Sequence, residues 1–264
     1  MALKLRWKDE SEDEKKAELV EHLAELRTRI MRSCLYVGAG MIVAWIFYYR
    51  IHDFLAGPID HALSQMRSEH PGGGIANTFV FQHFTDGFFM FLQIVMIGGL
   101  IIALPFVLYE AWAFIRPGLT VSERKAASFV FPLSIVLFAC GLSVAYLILP
   151  MAIHWFLSFV PTDTILLQNP LTYIVFVVKL MLVFGLLFQL PVVLMFLGKI
   201  GVINSALMKK YWRQIAVGLF TLAMVAAPSN DPGTMLALAI PLTILFFGSI
   251  WLVQMVEPKD KDKD

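Results

Sequence analysis

Residues 180–198 read LMLVFGLLFQLPVVLMFLG: uncharged, apolar almost throughout, and interrupted near the middle by Gln189 and Pro191. At a helical rise of ~1.5 Å per residue, such a run is close to the ~30 Å needed to cross the hydrocarbon of a bilayer. A soluble helix of that length would show a polar face, and this one has none. Five further uncharged runs, at 33–49, 87–109, 126–153, 214–230 and 232–256, repeat the pattern. The sequence therefore predicts an all-α polytopic membrane protein with six transmembrane helices in a single integral membrane domain over 1–264.

The whole chain of 264 residues is 58% hydrophobic and carries a formal charge of +1. That balance gives no basis for a nucleic-acid partner. The distribution of cations is more informative, because short cytoplasmic segments retain Lys and Arg during insertion. With the N-terminus inside, eighteen of the 21 basic residues fall on the cytoplasmic side; Arg50 and Arg67 fall outside and Lys179 within a span. An even number of crossings then puts both termini in the cytoplasm, and no removable signal peptide is read at residues 1–16. Those residues mix acids and bases and are expected to be a mobile cytoplasmic N-terminus; 257–264 is expected to be a charged, solvated tail.

Proline shapes the spans. Pro105, Pro132, Pro191 and Pro241 each remove a backbone donor inside an apolar run, which predicts kinked helices and a curved, concave molecule. The last two spans look short, the fifth having only Ile215 to Ala227 as its strongly apolar part, which implies local thinning of the bilayer. The outside loop after span one, with Pro58 and Pro71-Gly72-Gly73-Gly74, is too rich in breakers for one continuous helix. A second outside loop is expected from about Pro150 to Pro170.

Two cytoplasmic segments carry candidate chemistry. ELVEHLAELRTRI at 18–30 puts Leu19, Leu23, Leu26 and Ile30 on one stripe and Glu18, His22, Glu25 and Arg29 on another. This predicts an amphipathic helix at the inner interface, with Glu25 and Arg29 at i,i+4 spacing suited to an ion pair. Between spans two and three, Trp112 to Arg124 reads WAFIRPGLTVSER, in which Thr120 and Glu123 have the spacing of a capping box at the start of span three. Within the membrane, Gln189 suits an interhelical hydrogen bond or a polar contact for a partner helix. Lys179 sits near enough to the outer end of span four to snorkel, with Asp86 as its candidate partner. Cys34 and Cys140 lie within spans without metal or redox spacing.

Three separated motifs in order, HLAELRTR at 22–29, WAFIRPGLTVSER at 112–124 and FGLLFQLPVV at 184–193, resemble the TatC family, the six-span core component of the twin-arginine protein translocase. The resemblance covers essentially the whole chain. It implies a receptor in the bacterial cytoplasmic membrane that binds Arg-Arg signal peptides of folded precursors. It also implies assembly with TatA-type and TatB-type single-span proteins, homo-oligomerisation within a larger complex, transport driven by proton-motive force, and no cofactor. Glu25 and Glu123 match the family's recognition glutamates, and charge-assisted bidentate hydrogen bonds to paired guanidiniums make physical sense of that role. His22, Leu26, Arg27, Phe114 and Pro117 match supporting motif positions, and Pro58 matches an outside position of structural character. Gln189 stands where many relatives carry a glutamate, so a protonation step at that position is in doubt here. Near the outer hairpin, Asp231 and Thr234 match partner-contact positions, while Ala227 and Met235 replace polar groups common in the family.

Enzymatic activity is not expected: no phosphate-cradling glycine loop, metal-ligand spacing or nucleophile elbow is present. The rival reading is an ion-coupled small-solute transporter, with Lys179 or Gln189 at a mid-membrane substrate site.

Overall fold

In the computed structural model, the described residues are 2–69, 75–116, 121–159, 166–226 and 232–256; within these, side chains at 2–19, 65–69, 75–78, 121–129, 166–168, 226 and 234 fall outside the description. Nine helices are described: α1 (Ala2–Ile46), α2 (Tyr48–Glu69), α3 (Asp86–Ile115), α4 (Val121–Leu157), α5 (Pro170–Leu187), α6 (Leu190–Lys199), α7 (Ser205–Lys210), α8 (Trp212–Ala226) and α9 (Pro232–Val256). The architecture departs from all-α in one place. Two short strands, β1 (Ile75–Phe79) and β2 (Leu166–Gln168), pair in parallel with Ile75 opposite Leu166 and Phe79 opposite Gln168, joining the two long loops expected outside the membrane.

Five helical segments are long and apolar enough to cross a bilayer: Val20–Ile46, Asp86–Ile115, Val130–Leu157, Pro170–Lys199 and Met235–Val256. The expected fifth span corresponds to the shorter apolar helix Trp212–Val225. The expected shortness of the last span is not found, since α9 has 25 residues. Large apolar side chains such as Leu35, Trp45, Leu147, Val217 and Trp251 stay exposed along these helices, as lipid-facing surface requires.

Helix α1 packs on α3; α3, α4 and α5 meet in the middle; α6 packs on α9, and α9 on α8. The central core gathers Ile94, Leu149, Ile174, Phe184, Leu238 and Leu242 from four of these helices. Pairing of α1 with α3 is antiparallel, as the contacts Tyr36–Phe106 and Trp45–Phe91 show. It is close at one level: a Cβ on Gly99 would lie 2.6 Å from the Met41 backbone, and one on Gly40 would collide with the Gly99 carbonyl oxygen. Only glycine permits two helix backbones to approach this way.

The prolines act differently from one another. Pro105, Pro132 and Pro241 sit inside α3, α4 and α9. Pro191 lies in the first turn of α6, so the fourth span is two helices separated at Phe188 and Gln189 rather than one kinked helix. Pro150 does not begin a loop; α4 continues through it to Leu157. The loop after span one is largely the 22-residue helix α2, which runs through Pro58. Pro58 has no N–H for the Phe54 carbonyl. The Tyr146 hydroxyl on α4 donates to that carbonyl at 3.1 Å, with its ring stacked on Phe54 at 4.4 Å, while the Tyr173 hydroxyl on α5 donates to the Leu55 carbonyl at 2.7 Å. A helix that its own sequence would interrupt is thus held by donors from two other helices.

Residues 18–30 form no separate element. They continue into span one within α1, whose backbone is helical from Ala2.

Candidate functional site

The end of the molecule where the first span begins, α3 ends and α4 begins carries a connected group of charged and aromatic side chains. Arg29 on α1 sits between two carboxylates. Its Nε and Nη2 donate to Glu25 Oε1, one turn earlier, at 3.2 and 2.9 Å, and its Nη1 donates to Glu110 Oε2 on α3 at 2.9 Å. The i,i+4 pair expected from the sequence is therefore present, but it is half of a larger arrangement. Glu110 is 3% exposed, against 21% for Arg29 and 32% for Glu25. A buried carboxylate of this kind requires a partner, since an uncompensated charge out of water is costly. Arg29 supplies it.

Beside the ion pairs, the His22 ring stacks on Phe114 of α3 with centroids 4.3 Å apart and planes at 16°. Leu26 is half-buried and Arg27 exposed on the same helix. Three of the residues expected to form or support the site thus come together where α1 crosses the end of α3: His22 against Phe114, and Glu25 through Arg29 and Glu110. Glu123 lies in the first turn of α4 and its side chain is outside the description; Pro117, and the Thr120 of the expected capping box, are outside the described residues altogether. The close approach at Gly40 and Gly99 lies on the same helix pair, α1 and α3, that carries Arg29 and Glu110.

The family profile of Sec-independent protein translocase protein (TatC) matches residues 21–241, from the helix bearing Glu25 to the middle of α9. The chain belongs to the TatC family. A TatC of Desulforapulum autotrophicum is 35% identical over 96% of this chain and 90% of its own length. The chloroplastic TATC of Arabidopsis thaliana is 34% identical over 94% of this chain and 69% of its own. The solved crystal structure of a twin arginine translocase receptor, TatC, aligns with a TM-score of 0.73 at 32% identity, covering 89% of this chain and 99% of that one. The chain is accordingly a multi-pass membrane protein of the twin-arginine protein translocase family.

Elsewhere in the chain, Gln189 is the N-cap residue of α6, but its side chain makes no capping hydrogen bond. Its Nε2 donates to the Ser134 carbonyl at 3.1 Å, while Ser134 Oγ, fully buried, donates to the Val130 carbonyl at 2.9 Å and accepts from Trp112 Nε1 at 3.1 Å. The result is a polar node joining α3, α4 and α6. Lys179 is exposed on α5 and does not pair with Asp86. Asp86 is buried and instead accepts from the backbone N–H of Gln82 and His83 at 3.0 and 3.1 Å and from Asn169 Nδ2 at 2.9 Å, tying the two outer loops together. Pro58, fully buried, serves the α2 contact already described. Asp231 is outside the described residues, and Thr234 is placed by its backbone only, in the first turn of α9. Among the described residues no group of His, Cys, Asp and Glu is arranged to hold a metal ion.

Sequence reasoning missed Glu110. It follows directly on the uncharged run 87–109 and lies just outside the Trp112 to Arg124 motif. A lone acid closing an apolar helix, with an arginine at the matching depth of the preceding antiparallel helix, is the signal that finds it.

Proposed function

We propose that this protein is the receptor and core subunit of a twin-arginine translocase: it binds Arg-Arg signal peptides at the cytoplasmic surface and, with TatA-type and TatB-type single-span partners and further copies of itself, exports folded proteins using proton-motive force. On this reading the molecule is a single membrane domain in the bacterial cytoplasmic membrane. Six spans, α8 being the short fifth, leave both termini in the cytoplasm, and the spans curve around a concave face. Glu25 and Glu123 are the acids that meet the paired guanidiniums; His22, Leu26, Arg27, Phe114 and Pro117 shape their surroundings, and Asp231 and Thr234 lie where a partner helix docks.

The observation that carries the reading is the state of Glu25. Arg29 engages only its Oε1, so among the described residues Oε2 has no hydrogen-bond partner on a carboxylate that is 32% exposed. A second guanidinium can therefore bind without displacing the first. The transporter reading loses its two supports, because Lys179 faces outward and Gln189 is engaged by Ser134.

The test is affinity of a fluorescent twin-arginine peptide for the purified protein. Glu25→Ala and Glu123→Ala each weaken binding, and a Lys-Lys peptide binds less well than the Arg-Arg one because an ammonium lacks the planar fork. Wild-type affinity in both variants would overturn the assignment.

A further inference from the structure

Arg29 divides its planar donor fork between two acids, and the division has a geometric effect on Glu25. The guanidinium is rigid, so pinning Nη1 to the buried Glu110 sets the plane in which Nε and Nη2 must find their acceptor. They converge on a single oxygen, Glu25 Oε1. With no second anchor, an arginine and a glutamate one turn apart are free to adopt the two-oxygen, fork-to-fork pairing that such groups favour, which would occupy both oxygens of Glu25. The acid of α3 therefore keeps the acid of α1 half open. It also sets the charge: two carboxylates against one guanidinium leave the cluster net negative, and neutralising Glu110 would leave the pair Glu25–Arg29 balanced by itself.

We propose that Glu110 is a positioning residue for guanidinium recognition: through Arg29 it fixes the Glu25 carboxylate with one oxygen directed to the incoming arginine. This rests on the reading of Glu25 as a ligand-binding acid. Glu110 does not touch the peptide. Its contribution is to the discrimination between a guanidinium and an ammonium, since a correctly angled carboxylate rewards a fork more than a point charge.

The experiment is a double-mutant cycle on peptide affinity in the full-length purified protein, using Arg-Arg and Lys-Lys versions of one signal peptide. Glu110→Gln, which keeps the side-chain volume, is expected to lower Arg-Arg affinity about tenfold, equivalent to ~1.4 kcal/mol, and Lys-Lys affinity less than that. In the Glu25→Ala background the same substitution is expected to change affinity less than about twofold, because the effect acts through Glu25. Wild-type affinity in Glu110→Gln, or an equal loss with and without Glu25, overturns the positioning role, as does an equal loss for both peptides. Arg29→Lys provides a second route should Glu110→Gln yield no folded protein; it keeps the charge but removes the fork, and its loss of Arg-Arg affinity must likewise vanish with Glu25 absent. Undiminished binding by Glu25→Ala alone would instead refute the recognition site itself, so the two failures are distinguishable.

Discussion

Substituting Gly99 by alanine tests how the helix crossing governs the charged site some distance along it. The added Cβ would lie 2.6 Å from both Cα and N of Met41 and 2.7 Å from its Cγ. Ordinary carbon contacts are ~3.5–4.0 Å, so α1 must withdraw from α3 by about 1 Å. Backbone atoms cannot rotate out of the way as a side-chain tip can, and overpacking of this kind costs ~1–3 kcal/mol. The same withdrawal lengthens the Arg29 Nη1 to Glu110 Oε2 contact from 2.9 Å to a distance at which little hydrogen bonding remains. Gly99→Ala is therefore expected both to lower the thermal midpoint in detergent and to weaken twin-arginine peptide binding. Two neighbours serve as controls. A Cβ at Gly98 meets only the Ala44 Cβ at 3.8 Å, and one at Gly38 meets nothing within 4 Å. Alanine at either is expected to leave binding unchanged and to raise stability slightly, because alanine favours helix over glycine. If Gly99→Ala matches Gly98→Ala in both assays, the claim that this crossing sets the site geometry is refuted.

Three further expectations concern the rest of the molecule. Tyr146→Phe leaves the Phe54 carbonyl without its donor and should cost ~1 kcal/mol in denaturant or thermal unfolding, while Pro58→Ala in the same background should recover part of the loss by restoring the missing N–H. Gln189→Leu removes one interhelical hydrogen bond and should reduce stability by ~1 kcal/mol or less, with transport of a folded precursor retained in vesicles; abolished transport with intact stability would show a role beyond holding α6 to α4. Lys179→Gln is expected to leave precursor transport unchanged, because the side chain lies exposed on α5; loss of transport would revive a mid-membrane function for that cation.

The long uncharged runs made the membrane class and most spans readable, because crossing hydrocarbon imposes a length and composition that few other structures need. Continuity through Pro58 and Pro150 was not readable. In α2 the carbonyl left free by proline is satisfied by Tyr146, a residue on another helix, and sequence-local rules contain no term for such a donor. Asp86 illustrates the opposite error. Its charge suggested pairing with Lys179, whereas backbone donors at 82 and 83 and the amide of Asn169 already occupy it. The parallel pairing of β1 with β2 joins segments far apart in the chain, each too short to announce a strand. At the candidate site, the Glu25–Arg29 pair followed from helical spacing, but the share of Arg29 taken by Glu110 depends on how closely α1 and α3 approach, which Gly40 and Gly99 reveal only once the register is known.

On the proposed reading, the half-buried Glu25 carboxylate of α1, with Glu123 of α4, receives paired guanidiniums. The most direct test is equilibrium binding of an Arg-Arg signal peptide to the wild type, Glu25→Ala, Glu123→Ala and the double variant in one detergent at fixed salt. Binding is expected to be weaker in each single variant and weakest in the double; affinity equal to wild type in all three would show that these acids do not receive the arginines.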